Sequence, residues 1–448
     1  MTKQWIAGSL VYIVCVALLI WPALYNGYPI LYSDTATYIA SGMKLETPVD
    51  RPIIYGLFIR STSLEGSTLW STIVCQAALV VWCLERLIGL VRERRGSGYV
   101  SLLVMTGALS VFTSLPWVVS QVMADIFTPL LVMITLILAL SVQELGRAGR
   151  MAHYLLFYFC AAVHLSHPLL AVLLIGALFL LDLVTGPTTG IRSTRAPLWW
   201  MLALTVLAYP IMSSAMAKSR HIFFMGAMVE HGVVKPYLDE HCAEQHFTLC
   251  DRKDRLPEKA YQFHWDTTGA MGSYASWKDA NDEFGSIING TLTEGRFIWL
   301  HIKVSLIATW EQLSLFDIGD GWGPFLEGTG VHSAIARYLS SDLPAMEASL
   351  QSRSSMHLVP TFARLHQWVV PIAFAALLSL LIPALRRRSA VFVTISTICM
   401  FSILLNAWSS GTFSGEVDRF GCKMIWMVPM LAVLAMQGLQ RGTKSNTG

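Results

Sequence analysis

The chain has 448 residues, of which 54% are hydrophobic and 14% are charged. Soluble domains carry about 25% charged residues, so this composition excludes an ordinary soluble protein and indicates an integral membrane protein. The net charge of +3 is too small to indicate nucleic-acid binding, and we expect membrane lipids and no nucleic acid among its partners.

Ten apolar segments are long enough to cross a bilayer, which takes about 20 residues of helix. The first follows Met1 without a small-residue cleavage site, so we expect a retained span and not a removed signal peptide. Residues 150–185 would be much too long for one crossing at about 1.5 Å per residue, and Pro168 favours a turn there, so we predict a hairpin. The predicted spans are 5–25, 67–91, 99–117, 126–145, 150–166, 168–185, 197–213, 366–385, 389–408 and 420–438.

Basic residues alternate between the connections of these spans. One side holds Arg92, Arg94, Arg95, Arg147, Arg150, Arg192, Arg195, Arg386, Arg387, Arg388, Arg441 and Lys444. The short connections of the other side, 118–125, 164–168 and 409–419, hold one basic residue, Arg419. The positive-inside rule therefore predicts that both termini are cytoplasmic, and we expect a bacterial inner membrane with the opposite face towards the periplasm.

The predicted fold class is an all-α polytopic membrane protein of about ten transmembrane helices. A mainly helical extracytoplasmic region, 214–365, is inserted before the last three spans and carries 18 of the 29 acidic residues. It separates an N-terminal module of about seven spans, 1–213, which includes a first external loop at 26–66, from a C-terminal module of three spans, 366–448. Residues 296–316 are apolar on one face and predict a helix lying in the membrane interface.

Cys242 and Cys250 are the two cysteines that lie in the long polar region, and the other six lie in or beside apolar spans. A disulfide between them is expected if the region lies outside the cytoplasm, and two free thiols if it does not.

The first external loop holds the first candidate site. Asp34 follows the first span, where it can either cap a short surface helix or act as a general base towards a hydroxyl group. Partial burial near lipid would raise the pKa of its carboxyl group unless a metal or an arginine opposes the shift. Arg51 can bind a phosphate or pair with its neighbour Asp50.

Three further candidates lie at helix ends on the same predicted face. Asp125 begins the fourth span, where it can cap a helix or take part in chemistry. His164 and His167 can hydrogen-bond a phosphate or hydroxyl, or supply half of a metal site. Arg419 can contact a phosphate with its guanidinium fork, or form a salt bridge with Asp418 or Glu416.

In layout and motifs the chain resembles the GT-C superfamily of polytopic glycosyltransferases. An acid follows the first span, Asp34, and an Asp-Arg-Pro-x-x-Tyr segment runs from Asp50 to Tyr55. Ala124-Asp125 opens an outward-starting span, and Asp418-Arg419-Phe420 precedes Pro429 near a late span. Members often carry paired acids after the first span, whereas Asp34 here stands alone.

This resemblance implies an inverting transfer of a sugar from a polyprenyl phosphate to a glycan, lipid or protein acceptor. It implies Asp34 as base, Arg419 or Arg51 on the lipid phosphate, and Asp125 supporting the acceptor or a cation. No cofactor is certain, and a divalent cation, Mg²⁺ or Mn²⁺, can take part. Two other classes of protein stay open. A surface-polysaccharide polymerase or ligase would use arginine and histidine residues of the long region. A transporter of lipid-linked sugars would place ionisable residues in the middle of its spans.

Overall fold

A computed structural model describes residues 2–91, 98–186, 195–266, 268–386 and 390–439. The basic residues Arg92, Arg94, Arg95, Arg192, Arg387, Arg388, Arg441 and Lys444 lie outside the described residues. Within the described ranges the regular structure is helical, apart from one isolated backbone bridge. The α-helices are α1 (Thr2–Asn26), α2 (Thr35–Lys44), α3 (Ile54–Thr62), α4 (Trp70–Val91), α5 (Tyr99–Phe112), α6 (Leu115–Val119), α7 (Phe127–Ser141), α8 (Arg147–Ala162), α9 (His167–Thr185), α10 (Ala196–Glu230), α11 (Val234–His241), α12 (Ala260–Trp265), α13 (Trp277–Thr293), α14 (Gly295–Ser314), α15 (Gly330–Tyr338), α16 (Leu343–Ala348), α17 (Val359–Arg386), α18 (Ala390–Ser414), α19 (Asp418–Ile425) and α20 (Met427–Leu439). Short 3₁₀ turns lie at Ala124–Ile126, Val142–Glu144, Thr248–Arg255 and Met271–Ser273.

Eight helical segments of the described chain are long and apolar enough to cross a membrane, and they confirm a polytopic, all-helical protein. These segments are Ile6–Asn26, Trp70–Val91, Ala124–Glu144, His167–Val184, Ala196–Ser213, Val359–Ala384, Ala390–Ser414 and Asp418–Gln437. The other two expected spans are 99–117, which contains α5 with 14 residues, and 150–166, which overlaps α8 with 16 residues. At about 1.5 Å per residue these helices are shorter than the hydrocarbon core of about 30 Å, so the count of ten stays a prediction.

The structure breaks the segment 150–185 between two helices, as the hairpin requires: α8 ends at Ala162 and α9 begins at His167. By contrast, α10 continues for 35 residues and passes through the boundary expected at 213. Residues 214–230 contain no proline and only one glycine, so nothing in this stretch ends the helix where its apolar part stops.

Helix α7 forms the centre of the membrane part. Every residue from Phe127 to Ser141 is buried, because the segment is apolar on all sides and must be surrounded by other helices. Its neighbours include α4, α8 and α9. This packing places Asp125, two residues before α7, at the start of the most deeply buried span.

The outer region has a core of its own between the distal half of α10 and helices α11 to α13. Ile222, Tyr237, Phe263 and Phe284 are buried in it. A disulfide joins Cys242 to Cys250 at its edge, so of the two outcomes left open by the sequence the structure has the bonded one.

Helix α14 covers most of the segment expected to lie in the membrane interface. Trp299 and Trp310 are 72% and 73% exposed, and Leu306 lies between them on the same face. On the opposite face Ala308 touches Gly411 of α18, where an added Cβ would lie 2.8 Å from the Ala308 carbonyl oxygen. Such an apolar face ending in tryptophans is typical of helices at a membrane surface.

Candidate active site

The first external loop folds into two helices that touch closely. An added Cβ on Gly42 of α2 would lie 2.0 Å from the carbonyl oxygen of Gly56 in α3, so only glycine permits this approach. The connection between the helices carries Asp50 and Arg51. Close packing of α2 on α3 therefore returns Arg51 to the start of α2, where Asp34 stands.

A short backbone bridge ties this loop to the connection that precedes α7. The Ile30 amide donates to the Ser120 carbonyl at 2.9 Å, and the Val122 amide donates to the Ile30 carbonyl at 2.9 Å. The Thr35 hydroxyl adds a bond to the Val122 carbonyl at 3.1 Å. These bonds fix Asp34 and Asp125, which lie far apart in sequence, in one region.

Asp34 occupies the N-cap position of α2, but its side chain makes no capping bond. Its carboxylate is held instead by two arginines. Arg51 Nη2 donates to Oδ1 at 3.1 Å, Arg51 Nη1 lies 3.1 Å from Oδ2, and Arg419 Nη1 donates to Oδ2 at 3.2 Å. The helix-cap interpretation of Asp34 is therefore wrong, because the carboxylate is aimed at cations from α19 and the first loop.

Both arginines are held on more than one side. Arg51 also donates to Asp50 Oδ2 through Nε at 2.9 Å and through Nη2 at 2.6 Å. Its guanidinium carbon lies 4.9 Å from the Tyr38 ring centroid, and that of Arg419 lies 4.3 Å from the Tyr32 ring centroid. Stacking and ion pairing together orient the two forks towards the same carboxylate.

Asp125 extends the network into the bundle. Its Oδ1 accepts from Lys423 Nζ at 3.2 Å, and its Oδ2 lies 3.6 Å from Arg419 Nε. Asp125 lies inside the turn Ala124–Ile126, and among the described residues no backbone amide donates a hydrogen bond to its carboxylate. Sequence reasoning missed Lys423, although a lysine inside an apolar span is a signal for a functional residue, because such a charge is costly in lipid.

Residues of the outer region form the third wall. The backbone amide of Arg419 donates to Asp320 Oδ2 at 3.3 Å, and the Asp317 amide donates to Asp418 Oδ1 at 2.7 Å. Asp418 therefore holds the outer segment in place and does not pair with Arg419. Gly321, with a φ of +73°, rests on the Tyr32 ring so closely that an added Cβ would lie 2.1 Å from it.

A small cleft lies between the connection that precedes α7, helix α19 and the outer region, and neither Asp34 nor Arg51 lines it. Its polar lining comprises Gln121, Asp125, Asp317, Asp320, Arg419 and Lys423. The cavity volume is about 10 Å³, which is room for about one water molecule. In this state the charged groups pair with one another, so a ligand must separate some of these pairs when it binds.

Arg51 and Asp418 lie outside this lining, as do three further residues expected to bind substrate, Tyr55, His164 and His167. Tyr55 is fully buried, donates to Gln76 Oε1 at 2.6 Å, and packs against Tyr38, so its position supports the ring beneath Arg51. His167 is also fully buried and bonds to Thr128 Oγ1 at 2.9 Å. His164 bonds to Ser166 Oγ at 2.9 Å. The placement gives no support to a substrate contact by either histidine or by Tyr55.

The charges set the protonation of the site. Burial opposes ionisation of Asp34, but the positive charges of Arg51 and Arg419 outweigh it and lower the pKa of this carboxyl group from 3.8 to about 2. While it is paired with both arginines, Asp34 therefore stays ionised and is a weak base.

In the described part of the chain, no group of three or more His, Cys, Asp or Glu side chains is placed to hold a metal ion, so a role for Mg²⁺ or Mn²⁺ stays a prediction. Comparison of the chain with protein-family models, curated proteins and solved structures finds no match. The likeness to the GT-C superfamily therefore rests on the motifs and the layout of the spans alone.

Proposed function

We propose that the protein is a membrane glycosyltransferase of the GT-C type. It would transfer a sugar, with inversion, from a polyprenyl-phosphate donor to a glycan, lipid or protein acceptor on the extracytoplasmic face. One observation carries the proposal: Arg51 and Arg419 converge on the Asp34 carboxylate although 385 positions separate Asp34 from Arg419. A carboxylate beside two guanidinium groups supplies both a base and a site for a departing phosphate.

The proposed reaction balances with these three residues. The acceptor hydroxyl gives its proton to the Asp34 carboxylate while its oxygen forms a bond to the anomeric carbon. The bond between that carbon and the phosphate oxygen breaks on the opposite face, and the electron pair leaves with the polyprenyl phosphate. Arg51 and Arg419 stabilise the negative charge that develops on the phosphate.

The resting ion pairs link phosphate binding to the strength of the base. A lipid phosphate that takes the forks of Arg51 and Arg419 removes the charges that depress the Asp34 pKa. Burial then dominates, and the pKa of Asp34 rises towards the range in which a carboxylate accepts a proton efficiently. Asp34 therefore becomes an effective base only when the donor is bound.

A membrane arrangement of ten crossings, with both termini in the cytoplasm of a bacterial cell, belongs to this proposal. Two contacts support this arrangement. His167 bonds to Thr128, which is expected if α8 returns the chain to the end of the bundle where α7 begins. Asp34 contacts Arg419, which is then expected if α5 does the same. Both helices would then cross despite their shortness. The disulfide is favoured on the periplasmic side, where thiols are oxidised.

The position of the charges favours a transferase over the two alternatives. The polar lining of the cleft includes two aspartates of the outer region, Asp317 and Asp320, but no arginine or histidine from 214–365, which a polymerase or ligase would use. Asp125 and Lys423 lie within the first two turns of their spans, at one end of the bundle and not in mid-span as in a transporter.

Lipid mass spectrometry of cells with and without the protein tests the proposal. Cells that lack it, or that carry Asp34→Asn, should accumulate a sugar-loaded polyprenyl phosphate and lose the modified acceptor. Asp254→Asn is the matched control, because Asp254 is a 74% exposed partner of Lys235 in the outer region. Unchanged lipid-linked sugars in the Asp34→Asn cells, with the protein present in the membrane, would exclude the transferase.

A further inference from the structure

A groove with a volume of about 580 Å³ lies between helices α8 and α10, and none of its lining residues belongs to the candidate active site. Its volume is in the range of pockets that bind small organic ligands, about 300–1,000 Å³. The lining is apolar and aromatic, so it suits a hydrocarbon chain. It includes Met151, Tyr154, Leu155 and Tyr158 of α8, and Trp200 and Leu204 of α10.

Two arginines stand at one end of this groove. The lining residues of α8 recur every three or four positions, so they form one face of the helix. Continuing this face by one turn towards the start of α8 reaches Arg147 and Arg150, which are both exposed. Arg150 Nε donates to the Leu145 carbonyl at 3.0 Å, which holds its guanidinium group near the start of the helix. The apolar groove therefore ends in two positive charges.

These charges have no acidic partner in the described part of the chain. No carboxylate there lies within 4 Å of Arg147 or Arg150, whereas Arg195, before α10, pairs with Asp182 at 2.7 Å. Glu144, the nearest acid in the sequence, lies in the 3₁₀ turn that precedes α8. The first turn of α8 has no acidic residue and no side-chain cap bond, so its backbone amides add to the positive potential. This end of the groove is therefore suited to an anion.

We propose that the groove binds an anionic phospholipid, with an acyl chain along the apolar lining and the phosphate at Arg147 and Arg150. Basic sites between membrane helices are typical of the recognition of anionic lipids. Trp200, in the second turn of α10, is 63% exposed, and tryptophans are enriched at the level of lipid headgroups. This site is independent of the proposed transferase function, because the two sets of lining residues do not overlap.

A second copy of the chain fits the groove less well. Two copies in one membrane have the same orientation, so a symmetric interface at the groove would bring the arginines of both copies together. Like charges repel at short range. A phospholipid instead brings a negative charge to this end of the groove and hydrocarbon to the rest.

Native mass spectrometry of the purified full-length protein in detergent, titrated with dioleoyl phosphatidylglycerol or dioleoyl phosphatidylcholine, tests the headgroup site. The wild type should bind the first phosphatidylglycerol molecule more tightly than phosphatidylcholine. Arg147→Gln and Arg150→Gln should each weaken phosphatidylglycerol binding by about fivefold, and together they should remove the preference. Arg364→Gln is the matched control, because Arg364 is also exposed near the start of a membrane helix and its Nε also donates to a backbone carbonyl.

A second pair of variants tests the groove itself. Leu155→Trp should fill the groove and lose most of the phosphatidylglycerol binding. Leu180→Trp should bind like the wild type, because Leu180 is 62% exposed, against 61% for Leu155, but lies on α9 outside the groove.

Equal binding of the two lipids by the wild type, or unchanged phosphatidylglycerol binding by the variant that lacks both arginines, would overturn the proposal. Displacement of the lipid by inorganic phosphate at constant ionic strength, with unchanged binding by Leu155→Trp, would also overturn it, because the site would then hold a free anion and no acyl chain. A dimer in the spectra that Leu155→Trp dissociates, without a preference between the lipids, would assign the groove to a second copy instead.

Discussion

Replacing Asp34 by asparagine should have opposite effects on phosphate binding and on sugar transfer. In the wild type the carboxylate occupies both Arg51 and Arg419, so a lipid phosphate must displace it. Asparagine keeps the shape but removes the charge, which frees the guanidinium groups for the phosphate. The same change removes the base, so transfer should be lost while binding improves.

The expected gain in phosphate affinity follows from the ion pairs of Asp34. The pKa of Asp34 falls from 3.8 to about 2. At about 1.36 kcal/mol per pKa unit this difference is about 2 kcal/mol, which is the attraction of the two arginines less the cost of burying the carboxylate. The Asp34 side chain is 21% exposed, so water and salt screen part of this attraction. We therefore expect a gain of roughly tenfold in phosphate affinity, or about 1.4 kcal/mol.

Isothermal titration of the purified protein with farnesyl phosphate, at constant ionic strength, measures this change. Asp254→Asn again controls for loss of one surface carboxylate. Equal or weaker binding of farnesyl phosphate by Asp34→Asn would refute the competition between carboxylate and phosphate. Persistent transfer by the same variant would refute the role of Asp34 as base, whatever its affinity.

Three further outcomes follow from the same geometry. Arg419→Lys should weaken farnesyl phosphate binding by about tenfold and leave acceptor binding unchanged, because lysine keeps the charge but lacks the forked guanidinium group. An equal loss of affinity for both ligands would contradict this. Because folding lowers the pKa of Asp34, its ion pairs stabilise the fold above about pH 4, and this stabilisation is lost as the pH falls towards 2. The thermal unfolding temperatures of the wild type and of Asp34→Asn should therefore converge below pH 4. A difference that stays constant with pH would contradict the ion pairing. Reduction followed by mass labelling should expose Cys242 and Cys250 as a pair and destabilise the outer region by about 2 kcal/mol, and labelling of both cysteines without reductant would show that the bond is absent.

Residue identity and position in the sequence were enough to mark several site residues. Charged groups at the ends of apolar spans are costly in free energy and are therefore candidates for functional residues. This reasoning marked Asp34, Arg51, Asp125 and Arg419. The structure brings all four into one network. The sequence could not show that Asp34 leaves its helix uncapped, since this depends on where the arginines of other elements stand.

Other residues could be placed only by the tertiary structure. Lys423 reaches Asp125 across 298 positions, and Asp320 meets the amide of Arg419 across 99 positions. Tyr55 and His167 carried suggestive spacing, but helix packing turns both into the protein interior. Pattern reasoning treats a polar side chain as available, whereas packing decides whether it faces a cleft or a neighbouring helix.

The sequence by itself determined that the chain is a helical membrane protein, where most of its long apolar helices lie, and that 150–185 is divided between two helices. These properties depend on the transfer of about 20 neighbouring residues from water to lipid, which local composition fixes. Only the tertiary structure decided which charged groups meet. Their pairing depends on how the helix ends come together around the buried α7, and that arrangement is set by the packing of all the spans at once.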